Sequence, residues 1–157
     1  MSSTKNKALT LQWFEDVWNA GRLDVADELL SPDCTAHGLG HEAVEPRGPA
    51  AFKVFFHAFR DAFPDLHVTV EDIFGEDDRV VARCTVRGTH SGHGIGIMSS
   101  NTSIQFSGMC ILRFEQGKII EGWNSFDLHT LYQQIERAEA LMPTNSVAAR
   151  SVLAIPE

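Results

Sequence analysis

The feature that most constrains this chain's fold is a change of hydrophobic period at Leu66. Before it, apolar residues recur at three- and four-residue steps, the spacing of a helix face; after it, they alternate with polar ones, the spacing of strands. Leu11, Phe14 and Trp18, with Trp13 and Val17 beside them, predict a helix over 6–20 that stops at Asn19-Ala20-Gly21. A second helix is expected over 23–30, ended by Ser31-Pro32-Asp33, and Cys34 to His37 forms a short extended piece. The stretch 38–48 holds Gly38, Gly40, Pro46 and Gly48 and predicts a loop. Pro49 opens a third helix whose face is Phe52, Phe55, Phe56, Phe59 and Phe63, and Pro64 closes it.

The second half predicts long antiparallel strands. Leu66, Val68 and Val70 alternate up to a turn at Glu76-Asp77-Asp78, and Val80, Ala82, Cys84 and Val86 share a face after it. The run Gly92-His93-Gly94-Ile95-Gly96 suggests a flexible connection at a pocket mouth. Ile104, Phe106, Cys110, Leu112 and Phe114 share the next parity, and a last strand runs from Ile119 to Asp127 after the turn Glu115-Gln116-Gly117-Lys118. A C-terminal helix is expected over 128–142, with a loose tail after Pro143. Helices first and strands afterwards mean an α+β layout in one domain spanning 1–157. Several strands carry apolar residues on both parities, so the second sheet face should also be covered, most simply by a second copy of the chain.

Composition narrows the function classes. The net charge of −8 and pI of about 5.3 argue against nucleic-acid or anionic-membrane partners, which call for basic stripes. Cys34, Cys84 and Cys110 are an odd, widely spaced set without a CxxC pair, so neither a disulfide framework nor a zinc site is expected. His37 with His41, and His90 with His93, are spaced like ligand pairs, but glycines interrupt both, and no metal is expected. No leader segment or membrane span is evident, and a reduced, cytoplasmic setting is the expectation. GxGxxG, phosphate-loop and GxSxG patterns are absent.

Asp127 stands out as a candidate acid/base. It ends the last strand among Trp123, Phe126 and Leu128, and desolvation there would raise its pKa towards neutrality. Strict alternation places Ile119, Glu121, Trp123, Ser125 and Asp127 on one face, so Trp123 would wall a cavity with Asp127 at its rim. His90 and His37 are candidates to stabilise a developing oxyanion, and Arg83 to orient a substrate oxygen. Phe14, Trp18, Phe59, Phe106 and Trp123 are the expected pocket walls.

An ordered set of segments carries a family resemblance: Thr35-Ala36-His37-Gly38-Leu39-Gly40, Phe63-Pro64-Asp65, Asp78-Arg79-Val80-Val81-Ala82-Arg83, Gly88-Thr89-His90-Ser91-Gly92, and Gly117 to Trp123 with Asp127. Over about 9–131 the chain resembles the SnoaL-like polyketide cyclases (ester cyclases) of the nuclear-transport-factor-2-like superfamily. The resemblance implies a cone-shaped α+β barrel, a curved antiparallel sheet around N-terminal helices, a deep apolar cavity, and dimers through the outer sheet face. It implies cofactor-free aldol ring closure or a related isomerisation of a hydrophobic carbonyl compound, with Asp127 as the acid/base. Because this fold also serves other chemistry, two alternatives stand beside it: a small-molecule binder without turnover, and a carboxylate-assisted hydrolase.

Overall fold

A computed structural model of the chain describes residues 2–39 and 47–141. Helix α1 (Ser3–Gln12) runs into a π-helical segment (Trp13–Asn19), followed by α2 (Leu23–Leu29) and β1 (Leu30–His37). Helix α3 (Gly48–Ala62) leads to β2 (His67–Glu76), β3 (Arg79–Thr89), β4 (Ser103–Glu115) and β5 (Lys118–Phe126), and α4 (Leu128–Ala140) follows. The expected helices and strands are thus present. His41, Gly40, Pro46 and the tail after Pro143 lie outside the described residues.

The strands form one sheet in the order β1-β5-β4-β3-β2. Three pairings are antiparallel, but β1 runs parallel to β5. The sheet is therefore mixed and open, with β1 and β2 as its edges: it is curved and antiparallel from β2 to β5, as expected, with one parallel pairing added at β1. β1 also begins at Leu30, so Ser31, Pro32 and Asp33 lie within the strand instead of ending a helix; Pro is tolerated there because β1 is an edge.

Register shifts interrupt the ladder between Val70 and Asp72 and between Arg113 and Phe114. Each leaves one residue unpaired, Glu71 and Ile120, and such bulges bend a sheet. The concave face carries Val80, Ala82, Cys84 and Val86 of β3 and Ile104, Phe106, Cys110, Leu112 and Phe114 of β4, all buried. Helix α3 and the N-terminal helical segment pack onto that face through Phe52, Phe56, Phe14 and Val17.

The N-terminal helix departs from regular α spacing where it meets this core. The Ala20 N–H bonds to the Glu15 carbonyl, five residues back, at 3.0 Å. Five-residue steps put Trp13 and Trp18 on one side. Leu11, expected on the apolar face, is instead 41% exposed. The glycine run after β3 is also other than expected. It lies on the C-terminal end of α3, where the Gly92 N–H donates to the Ala62 carbonyl at 3.1 Å. A Cβ on Gly92 would collide with the Asp61 carbonyl, and one on Gly94 with that of Ala58. These glycines permit close packing rather than supplying a flexible connection. No described helix is long and apolar enough to cross a membrane.

Candidate functional site

Between the concave face and the helices lies a cavity of about 110 Å³. Its walls come from the π segment (Trp13, Phe14, Trp18), from α3 (Phe52, Phe55, Phe59) and from the sheet (Val68, Val86, Phe106, Leu112). β1 adds Cys34, Thr35 and Ala36, and β5 adds Ile119, Gly122, Asn124 and Phe126. Four of the five expected wall residues, Phe14, Trp18, Phe59 and Phe106, line this cavity. The aromatic rings brace one another: Trp18 meets Phe52 edge-on at 5.7 Å and Phe55 at 6.1 Å, and Phe55 lies 4.9 Å from Phe59.

Trp123 is not part of the wall, and the bulge at Ile120 explains why. Ile119 faces inward, but the unpaired Ile120 shifts the alternation by one residue, so that Gly122, Asn124 and Phe126 face the cavity. Glu121 and Trp123 therefore join the convex face, with Arg113 and Ile111 as their register partners on β4. His37, paired with Trp123 across β1 and β5, goes with them. Its ring stacks on Trp123 at 5.5 Å, and its Nε2 lies 2.9 Å from Glu121 Oε1. Arg113 Nη2 donates to Glu121 Oε2 at 3.0 Å, and the Arg79 guanidinium sits 5.7 Å from the Trp123 ring centre. Hydrogen bonds from His37 and Arg113 hold the Glu121 carboxyl below its usual range. Arg83 is exposed and opposite Met109, again on the convex side. The structure thus gathers His37, Trp123 and Arg83 on the sheet face away from the cavity.

Asp127 differs most from expectation. It is exposed and is the N-cap of α4: its Oδ1 accepts from the Thr130 N–H at 3.0 Å, and its Oδ2 from the Thr130 hydroxyl at 2.6 Å. Those bonds to the charged form lower its pKa, where apolar surroundings were expected to raise it. Its neighbours Phe126 and Leu128 line the cavity, whereas Asp127 itself does not.

His90 is wholly buried, immediately after the end of β3, but outside the cavity lining. Its Nδ1 lies 3.0 Å from Ser100 Oγ, its ring 5.4 Å from that of Phe63, and its Nε2 lacks a well-aligned partner. Its backbone also ties down the following loop, donating to the Thr102 carbonyl and accepting from the Asn101 N–H. Burial lowers its pKa, favouring the neutral ring.

Among the described lining residues no side chain ionises near neutrality. Cys34 is a thiol that burial keeps protonated, and Cys84 and Cys110, deeper in the core, are pushed up to about 11 and about 12. No three His, Cys, Asp or Glu side chains among the described residues group to hold a metal. The polar residue that sequence reading missed is Asn124. Its signal was the last strand itself, read one residue out of phase.

These features agree with comparisons to known proteins. The sequence pattern of the SnoaL-like polyketide cyclase family matches residues 8–135. AclR from Streptomyces galilaeus, described as a candidate hydroxylase, is 30% identical with a TM-score of 0.74, covering 90% of this chain and all of its own. IdmH from Streptomyces antibioticus, a candidate polyketide cyclase, is 28% identical with a TM-score of 0.71, covering 82% of this chain and 96% of its own. A candidate SnoaL-like cyclase from Jannaschia sp. CCS1, at 24% identity and a TM-score of 0.78 over 90% of this chain and 95% of its own, shares the fold. Curated protein sequences give no match. The matched pattern spans most of the chain, and the protein belongs to the SnoaL-like polyketide cyclase family.

Proposed function

We propose that the chain takes a hydrophobic carbonyl compound of the polyketide type into the cavity and promotes its ring closure or a related proton-transfer isomerisation. The observation that carries this reading is the wall itself: aromatic and aliphatic on nearly every side, with few polar groups to fix orientation. A proton between two carbonyls is already acidic, so folding the substrate until carbanion and acceptor meet is the larger task. Such positioning is worth roughly 7–11 kcal/mol in well-oriented cases, and a dry cavity protects the enolate from side reactions. The names of the similar structures, candidate cyclases among them, support the reading.

The proton-transfer group is the part that experiment must decide. Asp127, set between two lining residues in sequence, is an ionised cap; a carboxylate in that state serves as a base, not as the acid. The lack of a lining side chain that ionises near neutrality among the described residues favours a second reading, a binder without turnover. The hydrolase alternative asks for a carboxylate against a cavity water, and the described lining offers none. An aryl ketone that also carries a β-dicarbonyl ester side chain, so that carbon acid and acceptor carbonyl lie in one molecule, incubated with the protein and followed by chromatography and mass spectrometry, separates these. A ring-closed product of unchanged mass, or one lighter by a water, supports cyclisation. Product lost in Asp127→Asn assigns the base to that carboxylate, product kept in it removes Asp127 from the chemistry, and bound but unconverted ester favours the binder.

The same proposal includes a homodimer through the convex face. Phe74, Val81, Ile111, Trp123 and His37 form one continuous row of register partners across all five strands. Phe74 is 60% exposed and Met109, beside the row, 54%. Glu76, Arg79, Arg113 and Glu121 flank it with both signs of charge, which suits a self-complementary two-fold contact. Sedimentation equilibrium should give a dimer for the native chain and a monomer for Ile111→Glu; a native monomer would refute the contact.

A further inference from the structure

The last strand presents one polar side chain to the cavity, and its orientation is fixed. Asn124 Nδ2 donates to the His37 backbone carbonyl at 3.0 Å. A carbonyl oxygen only accepts, so the amide nitrogen points to β1 and the amide oxygen points away from it. That Oδ1 has no donor among the described residues. The residue lines the cavity, between Gly122 and Phe126 on the inward parity. Gly122 carries no side chain beside the amide, and a Cβ there would press on Leu112 Cδ2 at 3.2 Å.

The other lining residues with polar atoms are Trp13, Trp18, Thr35 and Cys34. The indoles donate only, and the protonated thiol is a weak partner in either direction. The Asn124 amide is the one side-chain carbonyl acceptor in the described lining. A guest offering only carbonyl oxygens would leave this acceptor unmatched inside an apolar wall, which is unfavourable. A guest with a hydroxyl hydrogen would satisfy it.

We propose that Asn124 is the specificity-determining residue of the cavity, its Oδ1 accepting a hydrogen bond from an enol or phenol hydroxyl of the bound compound. The inference rests on the reading of the cavity as the small-molecule site. It narrows the substrate class from carbonyl compounds in general to those holding a hydroxyl on an aromatic or enolised ring. For a β-dicarbonyl it selects the enol form, which already carries its nucleophilic carbon in the conjugated system that ring closure uses.

The test is equilibrium dialysis with three probes of one skeleton: 2-naphthol, naphthalene and 2-methoxynaphthalene. The native chain should bind 2-naphthol about fivefold or more tightly than either of the others, the size of one net hydrogen bond. In Asn124→Val the advantage should vanish while naphthalene still binds, a result that a merely structural Asn would not give. Equal affinities for naphthol and naphthalene in the native chain overturn the assignment and leave the cavity reading intact; this comparison stands even if the Val variant does not fold. Binding of none of the three overturns the cavity reading, and the assignment falls with it.

Discussion

The two faces of the sheet carry similar residues under opposite conditions. The concave face buries Val80, Ala82, Cys84, Val86, Leu112 and Phe114 against helices and closes around a cavity. The convex face sets Phe74, Ile111 and Met109 in the open, between arginines and carboxylates. Hydrophobicity alone does not tell one from the other. What does is the company each row keeps: apolar rows run unbroken on the inside, while on the outside charged rows fence a single apolar one. A face packed by its own chain resists change through packing, whereas a face held for another molecule answers through association.

The sharpest contrast is between two phenylalanines. Phe63 is fully buried, and Phe63→Ala should cost about 3–5 kcal/mol of unfolding free energy in urea titration. Phe74→Ala, on the convex face, should leave the unfolding of the isolated chain within about 0.5 kcal/mol while weakening self-association. If the two lose comparable stability at a concentration where the chain is monomeric, the faces are not distinguished as described.

A smaller effect tests the boundary between them, where β5 ends and α4 begins. Asp127→Ala removes the cap on Thr130 and should lower the urea midpoint, while Asp127→Asn, itself a good cap, should lower it far less. A carboxylate buried in apolar surroundings would behave otherwise, since its removal would relieve a desolvation cost.

The smallest effect concerns pH. Burial lowers the His90 pKa below its ordinary 6.5, so the folded chain prefers the neutral ring and the unfolded chain binds the extra proton first. The stability tied to His90 is therefore complete above pH 6.5 and declines as pH falls from there towards the folded value. Glu139 and His93, the charged groups that act on it, pull in opposite directions. Urea midpoints at pH 7.5 and 5.5 should show the decline in the native chain and a flatter response in His90→Asn. The carboxylates with lowered pKa, Asp24, Asp65, Glu121 and Asp127, lose their contribution only in more acidic solution, so the two windows separate.

Much of this was legible in the sequence, and most of the misses share a cause. The period change at Leu66 yields the α+β layout, and the parity of Ile104, Phe106, Cys110, Leu112 and Phe114 yields the concave face of β4 without error. Phe59 and Phe106 reach the cavity as expected because their elements are regular. Where the backbone departs from regular repeat, side-chain periodicity misleads. The π segment turns Trp13 and Trp18 to one side and leaves Leu11, in α1 just before it, exposed, and the bulge at Ile120 moves Trp123 out and Asn124 in. Asp127 was misjudged for another reason: its partner, the N-terminus of α4, is a backbone feature that a sequence of apolar neighbours conceals.

The extra residue in β5 makes the phase of the strand a variable of this pocket alongside its side chains. Deleting Ile120 would join Ile119 directly to Glu121 in plain alternation, leaving Glu121 and Trp123 on the convex face and Gly122 and Asn124 towards the cavity, so the present lining survives loss of the bulge. One segment thus encodes two different linings a single position apart: extruded from the ladder as it is, Ile120 turns Asn124 inward, whereas a regular strand that paired Ile120 would present Trp123 instead.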